Sequence, residues 1–271
     1  MSYGTRQRQL QDLQIQLQSL KRQHSTDTLA TDRIAFATLL GLDLDPWQAS
    51  VLSADSKRDI LNCSRQAGKS TTAAVLALHE ALYKPGSMTV LISPSQRQSS
   101  ELFRKVIELR DLLPVPIDLS EDNRLSMSVR GGGRVVSLPG SEATVRGISS
   151  VTLLIEDEAA RVEDQLYLSI RPMLAVANGR MVLMSTPFGK RGHFWDVWDE
   201  MPGWNKVRVP ATSVPRISSH FLEEERRSMP TWWFEQEYLC EFKDDTDSVF
   251  RYEDVTRAVT ESVTPLFLEA T

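Results

Sequence analysis

Eight consecutive residues, Cys63-Ser64-Arg65-Gln66-Ala67-Gly68-Lys69-Ser70, join a short apolar run to a helical pattern, which is the context a phosphate-binding loop requires. In such a loop the backbone N–H groups and the start of the following helix point at an anion, and the helix dipole adds to the attraction. Ser64, Arg65, Gln66 and Ala67 contribute the loop's amides, Gly68 lets the backbone approach a phosphate closely, and Thr71 continues the first helical turn. Lys69 reaches the β- and γ-phosphates of a nucleotide, and the Ser70 hydroxyl is a ligand for Mg²⁺. The usual pattern, Gly-x-x-x-x-Gly-Lys-Ser, opens on glycine, and this chain has Cys63 there. A buried cysteine behaves as a compact hydrophobe, so Cys63 is read as packing at a strand end, with no redox role.

A second apolar run, Val151 to Ile155, empties into Glu156-Asp157-Glu158-Ala159-Ala160. Ligands of open α/β sheets bind at the carboxyl ends of strands, where this run places its acids. Asp157 then holds Mg²⁺, and Glu158 orients and deprotonates an attacking water. Three acids in a row leave the register open by one residue, and Glu156 is the ambiguous member. Phosphoryl transfer also calls for an arginine that meets the charge developing on the phosphate. The candidates are Arg65 in the loop, Arg146 in Ala143-Thr144-Val145-Arg146-Gly147, and Arg161 after the acids. Arg146 is preferred, because Gly147 suggests a tight turn that presents it; Arg65 acting within its own subunit is the alternative.

These residues need a scaffold that brings strand ends together. Asp59–Cys63, Met88–Ser93, Val151–Ile155 and Arg180–Met184 are short apolar runs of the kind buried in parallel sheets, while Lys69–Tyr83 and Gln96–Leu113 have helical periodicity. That alternation predicts an α/β fold with a mainly parallel central sheet flanked by helices. Leu125–Arg130 and Arg134–Leu138 flank three glycines and predict a β-hairpin. Ser218–Phe242 reads as helical, with Ser219 as its cap, and forms a small lid. Leu10, Leu13, Leu17 and Leu20 draw a narrow apolar stripe on a Gln-rich helix. The expected organisation is an N-terminal arm over 1–30, a phosphate-loop core over 31–210, a lid subdomain over 211–250 and a linker over 251–271.

Composition excludes more than it selects. No apolar stretch approaches the roughly 20 residues of a membrane-spanning helix, and the polar first 25 residues are not built like a signal peptide. Only Cys63 and Cys240 are present, too few for a disulfide framework or a Cys/His zinc site. The net charge of −5 arises entirely within 201–271, which carries eight basic and thirteen acidic side chains. Contact with nucleic acid would therefore depend on local patches such as Arg124, Arg130 and Arg134.

Taken in order, Ser64-Arg65-Gln66-Ala67-Gly68-Lys69-Ser70, Ile155-Glu156-Asp157-Glu158-Ala159-Ala160, Ser185-Thr186-Pro187 and Gln236-Glu237-Tyr238-Leu239-Cys240-Glu241-Phe242 resemble the large terminase subunits of tailed bacteriophages. The resemblance runs over roughly residues 40 to 250, and an arginine-bearing loop without the first glycine is typical of that family. It implies a RecA-like P-loop ATPase of the ASCE class with ATP and Mg²⁺ as its ligands. It further implies that Gln48, in Leu44-Asp45-Pro46-Trp47-Gln48, recognises adenine, with Trp47 either stacking on the base or anchoring the core. Thr186 falls in the segment resembling the family's coupling motif, and Arg146 in the loop that reaches a neighbouring subunit's ATP. The implied partners are double-stranded DNA, further copies of the chain in a five-membered ring, a portal protein and a small terminase subunit. The implied location is the host cytoplasm, docked on a procapsid. Such subunits also carry a nuclease, whose acidic cluster has no counterpart before Thr271, so no nuclease activity is expected of these residues. Two rivals share the motifs: a RecA-like helicase of the DExD type, and a scaffold that binds ATP without hydrolysing it.

Overall fold

The computed structural model describes residues 27–140 and 147–244. The Leu10–Leu20 stripe, Arg146 and the linker over 251–271 lie outside the described residues. Eight strands form one sheet in the order β3-β4-β5-β2-β6-β7-β1-β8. They are β1 (Arg58–Cys63), β2 (Met88–Ser93), β3 (Leu119–Asp122), β4 (Ser126–Val129), β5 (Arg134–Pro139), β6 (Leu153–Asp157), β7 (Arg180–Ser185) and β8 (Asn205–Val209). From β5 to β8 every neighbouring pair is parallel, while β3 and β4 are antiparallel at one edge. β6 and β7 are buried along their whole length, as expected of strands covered on both faces.

The helices are α1 (Arg33–Leu39), α2 (Pro46–Ser53), α3 (Lys69–Tyr83), α4 (Gln96–Asp111), α5 (Asp164–Ile170), α6 (Gly192–Asp199), α7 (Ser219–Ser228) and α8 (Thr231–Glu237). α1 to α4 cover one face of the sheet in a core built on Phe36, Leu78, Phe103, Leu61 and Ile155. α5 and α6 cover the other, with Ile60, Leu154, Leu183, Ile170 and Phe194. α3 is buried nearly all round, which its Ala, Val and Leu composition permits. In α4 only one face is buried, through Ser99, Leu102, Phe103, Val106 and Leu109, and Ser95 caps its start by accepting from the Gln98 N–H. α7 and α8 contribute Leu222 and Phe234 to a third, smaller cluster, joined by Tyr238 just after α8.

The predicted alternation of strands and helices is present, with four local corrections. The apolar run after Gly147 begins its strand at Leu153 and extends it through Asp157, so Glu156 and Asp157 are strand residues and do not follow the strand. The helix foreseen over Ser218–Phe242 is two helices, because Pro230 cannot continue α7. Its cap is Ser218 and not Ser219: the Ser218 hydroxyl oxygen accepts from the Phe221 N–H at 3.2 Å. β8 was not foreseen. Its alternating half-buried, exposed pattern looks like surface until it is seen paired with β1. The hairpin is as expected, β4 against β5, with β3 added outside it. Of its arginines, Arg130 pairs with Asp118 at 2.8 Å and Arg134 with Glu121 at 3.2 Å, while Arg124 borders a depression shared with Arg97.

Candidate active site

A cleft of about 680 Å³ opens at the carboxyl ends of β1 and β6, beside the loop that joins β1 to α3. The loop backbone turns left-handed at Gln66 (φ 60°) and Gly68 (φ 100°). A side chain on Gly68 would be strained by that φ, and its Cβ would lie 2.9 Å from the Gln48 amide nitrogen, so glycine is required. Cys63 ends β1 fully buried, and burial pushes its thiol far above the usual range. Its side chain belongs to the core and faces α3. Lys69, only 8% exposed, folds its ammonium back to donate to the carbonyls of Cys63 at 3.0 Å and Ser64 at 3.3 Å. The buried Ser64 hydroxyl has no hydrogen-bond partner among the described residues. An unsatisfied buried hydroxyl, a lysine spent on its own loop and a left-handed backbone together fit a phosphate, which would satisfy all three.

Pleating of β6 separates the three acids. Glu156 is fully buried on the α6 face, where His193 Nε2 lies 3.2 Å from its Oε1, and His193 Nδ1 lies 3.2 Å from Asp164. Burial pushes the Glu156 carboxyl upward, against the pull of His193. The Tyr167 ring stacks on His193 at 4.2 Å. Asp157 points the other way, into the cleft, and Glu158 follows at its rim in a left-handed conformation (φ 52°), unusual for a glutamate. Burial, and next the neighbouring Glu158 charge, raise the Asp157 carboxyl to about 7, with Lys69 pulling the other way. A buried carboxylate that is costly to ionise, with the Ser70 hydroxyl on the same cleft wall, fits a divalent cation that keeps most of its own water.

The Asp157 shift makes a stability prediction. Its folded value lies above the ordinary carboxylate value of 3.8, so the fold favours the protonated form. The contribution is complete below about pH 4 and is lost as pH rises towards about 7. Asp157→Asn has no charge to bury, so its melting temperature should exceed that of the parent by a margin that widens between pH 5 and pH 8, by ~5 °C. A margin independent of pH in thermal melts without nucleotide would contradict the burial cost assigned to Asp157.

Two further groups come from distant segments. Arg161 donates to Glu158 at 2.9 Å, to the Thr186 hydroxyl at 3.1 Å and to Glu237 at 3.1 Å, and lies over the Phe188 ring at 4.8 Å. Thr186 is 2% exposed and meets the site through Arg161. On the other side, Arg216 forms a two-pronged pair with Asp45, both contacts 2.8 Å, and donates to the Ala67 carbonyl at 3.2 Å. The Gln48 amide is fully engaged: its oxygen accepts from the Asp45 N–H at 2.9 Å, and its nitrogen donates to Gly68 O at 3.3 Å and Thr72 Oγ1 at 3.0 Å. Gln48 therefore braces the loop between β1 and α3 against α2. Trp47 packs on the core outside the cleft.

Of the residues singled out from sequence, the cleft gathers Gln48, the loop from Ser64 to Thr71, Asp157, Glu158 and Arg161. Arg146 lies outside the described residues, next to Gly147, whose φ is +95°. Glu237 and Arg216 were missed as site residues. Glu237 sat in a quoted motif without a role, and no local signal could have placed Arg216 beside a loop 149 residues earlier.

The family described as "Terminase large subunit, T4likevirus-type, N-terminal" matches residues 60–257. The large terminase subunit of Thermus virus P23-45 is 28% identical over 254 residues, covering 79% of this chain and 52% of that protein. The chain thus spans about half the length of the curated relatives it matches. Among solved structures, the ATPase domain of the Thermus phage P74-26 large terminase superposes with a TM-score of 0.67 at 24% identity, over 77% of this chain and 97% of that one. The large terminase of a thermophilic bacteriophage, solved in complex with ADP, gives 0.56 at 14% identity, over 76% of this chain and 52% of that one. At these identities the likeness shows a shared fold.

Proposed function

The chain belongs to the large terminase family, over its N-terminal region, and on that premise we propose that it hydrolyses ATP to drive double-stranded DNA into a viral procapsid. The observation that carries this reading is the convergence of Lys69, Asp157 and Glu158 on one cleft from two different strand ends. Lys69 neutralises the terminal phosphates, and the loop amides from Ser64 to Ser70 cradle them. Ser70 and Asp157 would hold Mg²⁺, whose charge balances the phosphate oxygens. Glu158 orients a water in line with the γ-phosphate and takes its proton, and Thr186, tied to Glu158 through Arg161, passes on the state of the site.

Arg146 is the proposed finger, reaching the ATP of a neighbouring copy in a ring assembled on a portal protein, with a small terminase subunit as a further partner, in the host cytoplasm. Contacts to DNA are proposed to be with phosphates, since a packaging motor must move any sequence. Turnover per subunit should then rise about a hundredfold or more from dilute to concentrated protein, because a lone chain lacks the finger. DNA binding should weaken steeply with salt and show no sequence preference. Full activity in the dilute monomer would remove Arg146 from the role and leave Arg65 in its own site. Salt-insensitive, sequence-selective binding would argue for a regulator in place of a motor.

A further inference from the structure

We propose that His193 is a positioning residue of this site: from the start of α6 it grips both ends of the turn that carries Asp157 and Glu158, and so fixes where Glu158 stands. This role presupposes the reading of the cleft as an ATPase site. Glu158 lies on a short excursion that leaves β6 after Asp157 and enters regular helix again at Asp164. Its left-handed backbone, φ 52° and ψ 38°, is one that a glutamate keeps only where its surroundings impose it. Within the turn, the Arg161 N–H donates to the Glu158 carbonyl at 2.8 Å and the Val162 N–H to the Ala159 carbonyl at 3.2 Å. Bonds so local set the shape of the turn and not its place on the sheet. On the cleft side that place is set by the Arg161 side chain, through Thr186 and Glu237. His193 is its counterpart on the opposite face.

Both ends of the turn meet one imidazole. Nε2 lies 3.2 Å from Glu156 Oε1 and Nδ1 lies 3.2 Å from Asp164 Oδ1, and the His193 backbone N–H donates to the same Asp164 oxygen at 2.6 Å. Neither Glu156 oxygen accepts a well-directed hydrogen bond among the described residues, so the imidazole charge beside it is what offsets this fully buried carboxylate. Asp164 is 61% exposed, where an ion pair alone is worth little, and the added backbone bond holds it. The Tyr167 ring stacks on the imidazole with centroids 4.2 Å apart and planes 9° from parallel, which fixes the ring's orientation. At Gly192, φ +73°, a Cβ would lie 3.2 Å from Asp164 Oδ1, so a side chain there would be strained and would crowd the grip. A neutral imidazole has one N–H and serves one carboxylate, whereas the charged form serves both. Burial works against that charge, and Glu156 followed by Asp164 outweighs it, so His193 titrates above its usual value. Without the imidazole, Glu156 would be left a bare buried charge, the end of β6 would shift to relieve it, and Glu158 would move too.

His193→Leu removes both grips and keeps an apolar body beside Tyr167. Its kcat per folded molecule should fall about thirtyfold, with KM for ATP within about threefold, because Lys69 and its loop are untouched. His193→Gln keeps a donor near the Nε2 position and His193→Asn one near Nδ1. Each restores one end of the turn and should stand only about fivefold below the parent. The experiment is steady-state and single-turnover hydrolysis by the assembled chain, normalised to folded protein, with hydrogen exchange measured on the same samples without nucleotide. Amides of residues 158–163 should exchange about tenfold faster or more in His193→Leu, with those of α3 unchanged. A side chain with only a packing role would lower the melting temperature and leave both kcat per folded molecule and the exchange of this turn within about twofold of the parent, and that result overturns the proposal. Should His193→Leu fail to fold, parental kcat in both the Gln and the Asn variants overturns it equally. A parent that neither binds nor hydrolyses ATP overturns the reading of the cleft, and the role of His193 falls with it; an active parent matched by His193→Leu overturns the role alone.

Discussion

Lys69→Ala should lower ATP turnover by about a thousandfold or more while circular dichroism stays that of the parent. The ammonium is buried at the mouth of α3, where water cannot take over its charge, and the Cys63 and Ser64 carbonyls are its present partners. In a site of low dielectric a missing positive charge is felt fully by the charge that builds on the transferred phosphate. The loss also removes the larger of two pulls that lower the Asp157 carboxyl, leaving only the Glu158 N–H to oppose burial and the Glu158 charge, which weakens its hold on a cation. Fold stability should change less than turnover, because Ser64 borders the cleft, where water can replace the ammonium at its carbonyl. The check is single-turnover hydrolysis at saturating ATP. Turnover within tenfold of the parent, in a folded variant, would remove the phosphate loop from the mechanism.

Glu158→Gln should separate binding from chemistry. The amide keeps the size of the side chain and leaves the Ser70 and Asp157 side chains in place, so ATP affinity should change by no more than a few-fold, while hydrolysis falls by about a thousandfold. ATP should then accumulate on the protein, measurable as unhydrolysed nucleotide retained after rapid filtration. Glu156→Gln is the internal control, since that side chain faces His193 across the sheet. Hydrolysis per folded molecule should fall less than tenfold in that variant. If Glu156→Gln proved the dead variant and Glu158→Gln turned over normally, the acidic run would have to be read one residue earlier.

Much of the scaffold is legible in the chain because it depends on local pattern. α3 runs from Lys69 to Tyr83 and β2 from Met88 to Ser93, at the limits the periodicity predicts. Buried parallel strands are continuous apolar runs, and helices between them carry a 3.6-residue repeat, so each announces itself within a few turns of chain. β8 escaped because an edge strand buries little of itself, and its alternation carries meaning only beside β1. The acidic run shows the limit of local reading. Three carboxylates are equivalent in sequence, but a strand pleats with a period of two, so Glu156 and Asp157 had to part once β6 included both.

By itself the sequence determined the class of fold, the loop that joins β1 to α3 and the short list of acids, because those rest on residue type and spacing within some ten residues. Only the tertiary structure decided the company they keep. The order β2-β6-β7-β1 inserts two late strands between two early ones, and that crossover brings Glu158 to the mouth of the loop that holds Lys69. It also places Glu237 172 residues along the chain from Arg65 and within 2.6 Å of it, and Arg216 against Asp45 across 171 residues. Pairings at such separation depend on the packing of every element between them, and a charged side chain in a loop looks the same in sequence whether it meets water or a buried partner.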